Sequence, residues 1–225
     1  RVLKLPPGAT TPIELPFGEL GAEGVAVDAA GNVYVADAHA PALWKWTPGA
    51  RGPALMPFGH LSRPIAVALG KDGSIYVVDE FLNQVLKLPP NSSSTTQLMP
   101  TTALNAPAGV AVDKDGNVYV ADRGDRHVLK LAPGATTATE LPFAGLEQPY
   151  GVAVDDNGTL YVSDIDKRRV FRLTAGATSA TEVAFPGLNY PLGVALNKDG
   201  DIFVVDCHRS DNCATGKVLE LGVAQ

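Results

Sequence analysis

Five aspartates recur along this chain at a nearly constant interval: Asp37, Asp79, Asp122, Asp164 and Asp206, spaced 42, 43, 42 and 42 residues apart. Carboxylates carried to one side of a fold can hold a cation or polarise a substrate. They can equally accept backbone N–H groups in a repeated turn. The turn role is the expectation here, because an aspartate closes each of five cassettes: GVAVDAAGNVYVAD, AVALGKDGSIYVVD, GVAVDKDGNVYVAD, GVAVDDNGTLYVSD and GVALNKDGDIFVVD. His39 and His208 follow their aspartates by two residues, His127 follows its own by five, and His60 lies in a connector. Metal-dependent chemistry needs several such ligands to meet; His39, His208 and Glu23 are the set that would have to converge. There is no Gly-x-Ser-x-Gly elbow, phosphate loop or HExxH. No catalytic residue, metal ligand or cofactor is assigned.

Ligand selection has better candidates. Glu23, Ile65, Ala108, Tyr150 and Leu192 occupy equivalent positions before the apolar runs and vary in type on a uniform frame. Variable side chains on a rigid scaffold suit recognition, and these are expected to ring one mouth of the fold. The segments after the aspartates should share that side: Ala38–Ala42, Glu80–Gln84, Arg123–His127, Ile165–Arg169 and Cys207–Lys217. Glu23, Tyr150, Arg123, Arg126, Lys167, Arg168, His208 and Arg209 are the ligand-binding candidates. The last segment is the longest. It holds both cysteines, Cys207 and Cys213, which are expected to form a short disulfide that rigidifies the insertion and implies an oxidising compartment.

The elements that must position these residues follow from the period. Short alternating runs of Val, Ile, Leu and Tyr, punctuated by Pro, Gly, Asn and Ser, predict an all-β chain. The third repeat predicts strands at Gly109–Asp113, Val118–Asp122, His127–Leu131 and Thr136–Pro142, with Gly116 taking a positive φ in the first turn. Four antiparallel strands per period make a propeller blade, the most apolar strand innermost. Val110 and Val112 should face one neighbour and Ala111 the other. Leu20, Leu61, Leu104, Leu146 and Leu188, with Phe17, Phe58, Phe143 and Phe185 three residues earlier, are expected to pack between blades; Thr101 replaces the phenylalanine once. One domain over residues 1–225 is expected. Two leading strands, Val2–Leu5 and Thr11–Phe17, leave the count open. Thr11–Phe17 closes a five-bladed ring as the outer strand of the last blade, or the parent fold has six blades.

The run Pro-x-Gly-Val-Ala-Val-Asp-x-x-Gly-Asn-Val-Tyr-Val-Ala-Asp, followed by a polar loop and x-Val-x-Lys-Leu, resembles NHL repeats, most fully at residues 105–131. Asn83-Gln84-Val85, Arg126-His127-Val128 and Arg168-Arg169-Val170 stand where the naming tripeptide falls. The Leu-Pro-Phe-x-x-Leu connectors at Leu15–Leu20 and Leu141–Leu146, with Pro-Gly-Ala-Thr-Thr at Pro7–Thr11 and Pro133–Thr137, resemble the extracellular sensor domain of mycobacterial PknD-type receptor serine/threonine kinases. That resemblance implies a six-bladed NHL-type β-propeller and a non-enzymatic, extracytoplasmic sensor. It also implies an extracellular ligand or protein partner, and membrane attachment only through a tether outside this chain.

Charge limits the alternatives. The net charge is −6 and the sequence pI about 5.2, which disfavours nucleic acid as a partner. No apolar run reaches the roughly 18 residues of a membrane span. A metal-dependent propeller lyase or hydrolase and an NHL scaffold for protein or RNA remain the other readings.

Overall fold

The computed structural model describes residues 1–208 and 216–222, which gather into two compact units, Arg1–Leu98 and Met99–Gln225. The first unit opens with a two-stranded ribbon, β1 (Leu3–Lys4) and β2 (Ile13–Glu14). Two antiparallel four-stranded sheets follow. The first blade is β3 (Ala22–Val27), β4 (Val33–Asp37), β5 (Ala42–Trp46) and β6 (Ala54–Leu55). The second is β7 (Pro64–Leu69), β8 (Ile75–Asp79), β9 (Gln84–Leu88) and β10 (Thr96–Gln97).

The second unit holds two further four-stranded blades and one of three strands. They are β11 (Pro107–Val112), β12 (Val118–Asp122), β13 (His127–Leu131) and β14 (Thr139–Glu140); β15 (Pro149–Val154), β16 (Leu160–Asp164), β17 (Arg169–Leu173) and β18 (Thr181–Val183); and β19 (Pro191–Leu196), β20 (Ile202–Asp206) and β21 (Lys217–Leu221). Strand order within each blade follows the chain, as hairpin connections require. The one longer interval, between Asp79 and Asp122, contains a 3₁₀ turn at Thr101–Ala103, where Thr101 stands in the phenylalanine position. Ile13–Glu14 pairs with Leu3–Lys4. The Thr11–Phe17 segment therefore forms a ribbon with Val2–Leu5.

Second and third strands fall on their predicted residues. Outer strands are shorter: β14 spans two residues where seven were predicted, pairing only Leu129 with Glu140 and Lys130 with Thr139. Each inner strand begins with a register shift, as between Pro107 and Gly109; four of the five start on a proline, which brings no N–H to the ladder, and β3 makes the same shift from Ala22. Gly116 has φ +82° in the inner hairpin. Asp113 fixes that turn by accepting Asn117 N, Asn117 Nδ2 and Tyr119 Oη at 2.9, 2.7 and 2.9 Å. Burial pushes the Asp113 carboxyl up, but these donors outweigh it and hold it below the usual carboxylate range. Burial and the bond to Asp113 push the Tyr119 phenol well above its usual range.

The alternating faces interlock as the valine–alanine pattern requires. In the first unit, Ala26, Tyr34, Ala36 and Leu43 of one blade meet Val67, Ile75, Val77, Leu86 and Leu88 of the next across Phe58 and Leu61. In the second unit, Ala111, Tyr119, Ala121 and Val128 meet Val152, Leu160, Val162 and Leu173 across Phe143 and Leu146. The Ser163 hydroxyl donates to Leu192 O and accepts from Gly151 N at 2.8 Å, adding a polar tie between the fourth and fifth blades. Val218 is 65% exposed, whereas Leu43, Val128 and Val170 at the same repeat position are 0%.

Glycines let the inner strands approach. A Cβ on Gly109 would lie 2.3 Å from Tyr150 O, and one on Gly151 2.5 Å from Leu192 O. Gly193 occupies the same position with nothing nearer than Val205 Cγ2 at 3.9 Å. Gly109→Ala should therefore cost about 2–3 kcal/mol by overpacking, and Gly193→Ala less than about 0.5 kcal/mol, measured by urea unfolding. Titration gives a second expectation. A tyrosine whose folded pKa is raised contributes stability that is full below its unfolded pKa of about 10 and is lost as pH climbs above it. Stability should decline from about pH 10 upward, and Tyr119→Phe should remove part of that decline.

Candidate functional site

The recurrent aspartates all accept backbone N–H groups of the connector. Asp37 accepts from Gly21 N at 3.0 Å, His39 N at 3.0 Å and Ala40 N at 3.2 Å. Asp79 accepts from Ser62 N, Arg63 N and Leu82 N at 2.6, 3.0 and 3.2 Å. Asp164 accepts from Glu147 N, Gln148 N and Lys167 N at 2.7, 3.1 and 3.1 Å. Asp206 takes Asn189 N and Tyr190 N at 2.9 and 2.8 Å. A backbone bond from the next residue joins the same two segments, as in Glu80 N to Arg63 O and Ile165 N to Gln148 O. Asp37, Asp79 and Asp164 thus tie their blade's incoming connector to the loop after the second strand, while Asp206 holds the connector. That loop and connector lie together at one end of each blade, the loop side.

Asp122 is the variant. It accepts Asn105 N at 2.9 Å and faces His127 Nε2 at 3.1 Å. Burial raises its carboxyl, against the pull of those two donors. Asp122, Asp125 and His127 form a group of potential metal-ligating atoms within 4.8 Å of one another. Their oxygens already serve the loop, since Asn105 Nδ2 donates to Asp125 at 2.9 Å. His39, His208 and Glu23 are outside this group. His39 and His208 are exposed.

On the loop side of the first unit, Glu23 pairs with Arg63 Nη2 at 3.5 Å, and Arg63 Nη1 contacts the buried Glu80 carboxylate. The guanidinium lies 5.3 Å from the Phe81 ring centroid, and Phe81 is 66% exposed. A cation–π contact of this kind braces an aromatic ring against water. Sequence reasoning found Glu23 but missed Arg63, Glu80 and Phe81. The available signal was an aromatic residue where the other loops carry His39, Gly124, Asp166 and His208.

In the second unit, Arg123 and Arg126 come together with Gln148, Glu147 and Asp166 around a cleft of about 480 Å³. Lys167 Nζ closes on Glu147 Oε1 at 2.7 Å, and Gln148 Nε2 donates to Asp166 Oδ2 at 2.7 Å. Arg126 and Arg168 are exposed and hold φ of +62° and +55°; Asn83 takes the same turn at +48°. Tyr150 is half-buried. Ile65 and Ala108, expected beside Glu23 and Tyr150 as an exposed ring, are buried at 4% and 2%. The close inner-strand approach explains Ile65, since Gly24 brings β3 against its carbonyl. Cys207 is buried, while Cys213 and Arg209 lie outside the described residues.

Comparison with known proteins agrees with this architecture. The sequence model of the NHL repeat matches residues 104–131 and 188–211. No curated protein sequence matches the chain. Among solved structures, a chain of the nidogen/laminin complex superposes with a TM-score of 0.78 at 21% identity, covering 90% of this chain and 76% of that one. A streptogramin B lyase gives 0.69 at 15% identity over 94% and 72% of the two chains. The selenomethionine-substituted virginiamycin B lyase from Staphylococcus aureus gives 0.67 at 12%, over 92% and 73%. The chain carries NHL repeats, and its fold is an all-β propeller of which five blades are seen.

The two kinds of side chain on the loop side should separate in a stability measurement. Asp79→Ala leaves three backbone donors without their acceptor and should cost more than about 3 kcal/mol in urea unfolding. Phe81→Ala should change stability by less than about 0.5 kcal/mol.

Proposed function

We propose that this protein is a non-enzymatic, extracytoplasmic binding module that recognises a protein partner with the loop side of its blades. The observation that carries the reading is Phe81, an exposed ring braced by Arg63, whose guanidinium is itself fixed by Glu80 and Glu23. Exposed aromatic and arginine side chains on a rigid frame are the residue types that dominate protein–protein binding energy. The Arg123–Arg126 cleft supplies a second, charged contact region in its own unit. The fold match to a chain of the nidogen/laminin complex supports protein binding.

The resemblance of the Leu-Pro-Phe-x-x-Leu connectors at Leu15–Leu20 and Leu141–Leu146, with Pro-Gly-Ala-Thr-Thr at Pro7–Thr11 and Pro133–Thr137, to PknD-type sensors favours attachment to a transmembrane serine/threonine kinase. A Cys207–Cys213 disulfide belongs with that compartment. Fold similarity to streptogramin B lyase supports a lyase as the competing reading.

Immobilised wild-type protein and the Phe81→Ala variant should be compared for capture of cell-surface and secreted proteins, read by mass spectrometry. A specific partner should be captured by wild type and lose about 30-fold in affinity with Phe81→Ala, a loss of about 2 kcal/mol. Equal capture by both removes the loop side as the site. Alkylatable Cys207 and Cys213 in protein from its native compartment would remove the extracytoplasmic placement. Tightly bound divalent metal, with a chelator-sensitive lyase activity, would replace the binding reading by the enzymatic one.

A further inference from the structure

The third blade departs from the others at one loop. The cross-strand partner of its aspartate is His127, where the other blades carry Ala42, Gln84, Arg169 and Lys217. Three residues after the aspartate stands Asp125, where the loops of equal length carry Ala40, Leu82 and Lys167. The backbone N–H groups of those three donate to Asp37, Asp79 and Asp164. Among the described residues, Asp125 N makes no such bond to Asp122. It is the Asp125 side chain that joins the group, so that Asp122, Asp125 and His127 bring one ligand atom each within 4.8 Å of one another.

Each member of the group is held from behind. Asn105 N donates to Asp122 Oδ1 and Asn105 Nδ2 to Asp125 Oδ1, both at 2.9 Å. Asn105 is itself gripped by Gly124, whose N–H donates to Asn105 O at 2.7 Å and where a Cβ would lie 2.5 Å from Asn105 Cγ. His127 Nδ1 faces Glu140 Oε2 at 3.6 Å, and Nε2 faces Asp122 Oδ2 at 3.1 Å. A neutral imidazole has one N–H for two nitrogens. With a carboxylate oxygen before each, one nitrogen meets its oxygen lone pair to lone pair. Asp122 is 0% exposed, so water does not relieve that opposition. A cation does, as an added proton or a metal ion. A proton bridges two atoms, whereas three converge here.

We propose that Asp122, Asp125 and His127 form a zinc site that pins the loop carrying Arg123 and Arg126. One imidazole nitrogen with two carboxylates is a donor set suited to zinc. Bonds of about 2.0–2.2 Å place neighbouring ligands of a tetrahedral ion about 3.3 Å apart, close to the 3.1 Å between Asp122 and His127. Asp125 is exposed, and rotation of its side chain draws the third ligand in. Water takes the fourth position on that open side. The ion's two charges balance the two aspartates. Glu140 acts as a positioning residue that orients the imidazole, and Asn105 orients both carboxylates, the outer support that metal ligands use. The site is structural and lies within the second unit.

Zinc-stripped protein titrated with zinc chloride against a chromophoric chelator tests this. Wild type should take up zinc with micromolar affinity or better, and binding should slow amide exchange at Arg123–His127. His127→Gln supplies the residue type that the second blade carries at Gln84, so the fold should survive. It should weaken zinc about tenfold or more, as should Asp125→Asn at its exposed position. Glu140→Gln should weaken zinc about tenfold with no change in melting temperature of the zinc-free protein. His39→Ala and His208→Ala should leave the affinity unchanged. Equal affinity in wild type and His127→Gln overturns the proposal. A loss confined to His208→Ala assigns the ion to the segment after Asp206 and also overturns it. Absence of zinc uptake, with the NMR signal of an imidazolium at His127 near neutral pH, assigns the contact to a proton and overturns it too. Zinc held by these residues without chelator-sensitive turnover leaves the loop-side binding reading as it stands, and none of these readouts depends on Phe81.

Discussion

Every blade is tied shut by one buried carboxylate. Asp37, Asp79, Asp122, Asp164 and Asp206 are each essentially inaccessible to water, and a charge in that position is tolerable only when hydrogen bonds replace its hydration. Backbone N–H groups of the connector supply them, joined in most blades by those of the following loop. The consequence reaches past the turn. The connector also delivers Phe58 and Leu61, or Phe143 and Leu146, into the apolar seam between neighbouring blades. Fixing the connector therefore fixes the seam, and the seam fixes the approach of the inner strands.

Much of this was legible because burial has a period. Val118–Asp122 and His127–Leu131 coincide with the observed strands, since both faces of those strands are packed and their alternation is unbroken. The outer strand predicted at Thr136–Pro142 shrinks to Thr139–Glu140. An edge strand exposed on its outer side has no burial pattern to read, and its ladder ends where the twist carries it from its partner. The exposure of Val25 was equally illegible. Val25 looks like Val67 in sequence, and only the neighbouring sheet decides which is buried.

The candidate site divides along the same line. Glu23, Arg123, Arg126 and Lys167 were visible as departures from a repeated frame. Arg63, Glu80 and Phe81 were not, because their meeting depends on the connector and loop being held together by Asp79. The distance between Arg63 and Phe81 in sequence carries no trace of that contact.

The turns before the third strands carry a thermodynamic consequence of their own. Asn83, Arg126 and Arg168 share a left-handed backbone conformation, which asparagine accepts readily and arginine only at a cost of about 1 kcal/mol. Glycine at the two arginine positions would relax the chain. It would also erase two exposed cations from the loop side. Stability and display are thus set against each other at single residues, and a version of this protein optimised for robustness alone would drift toward a blank surface there.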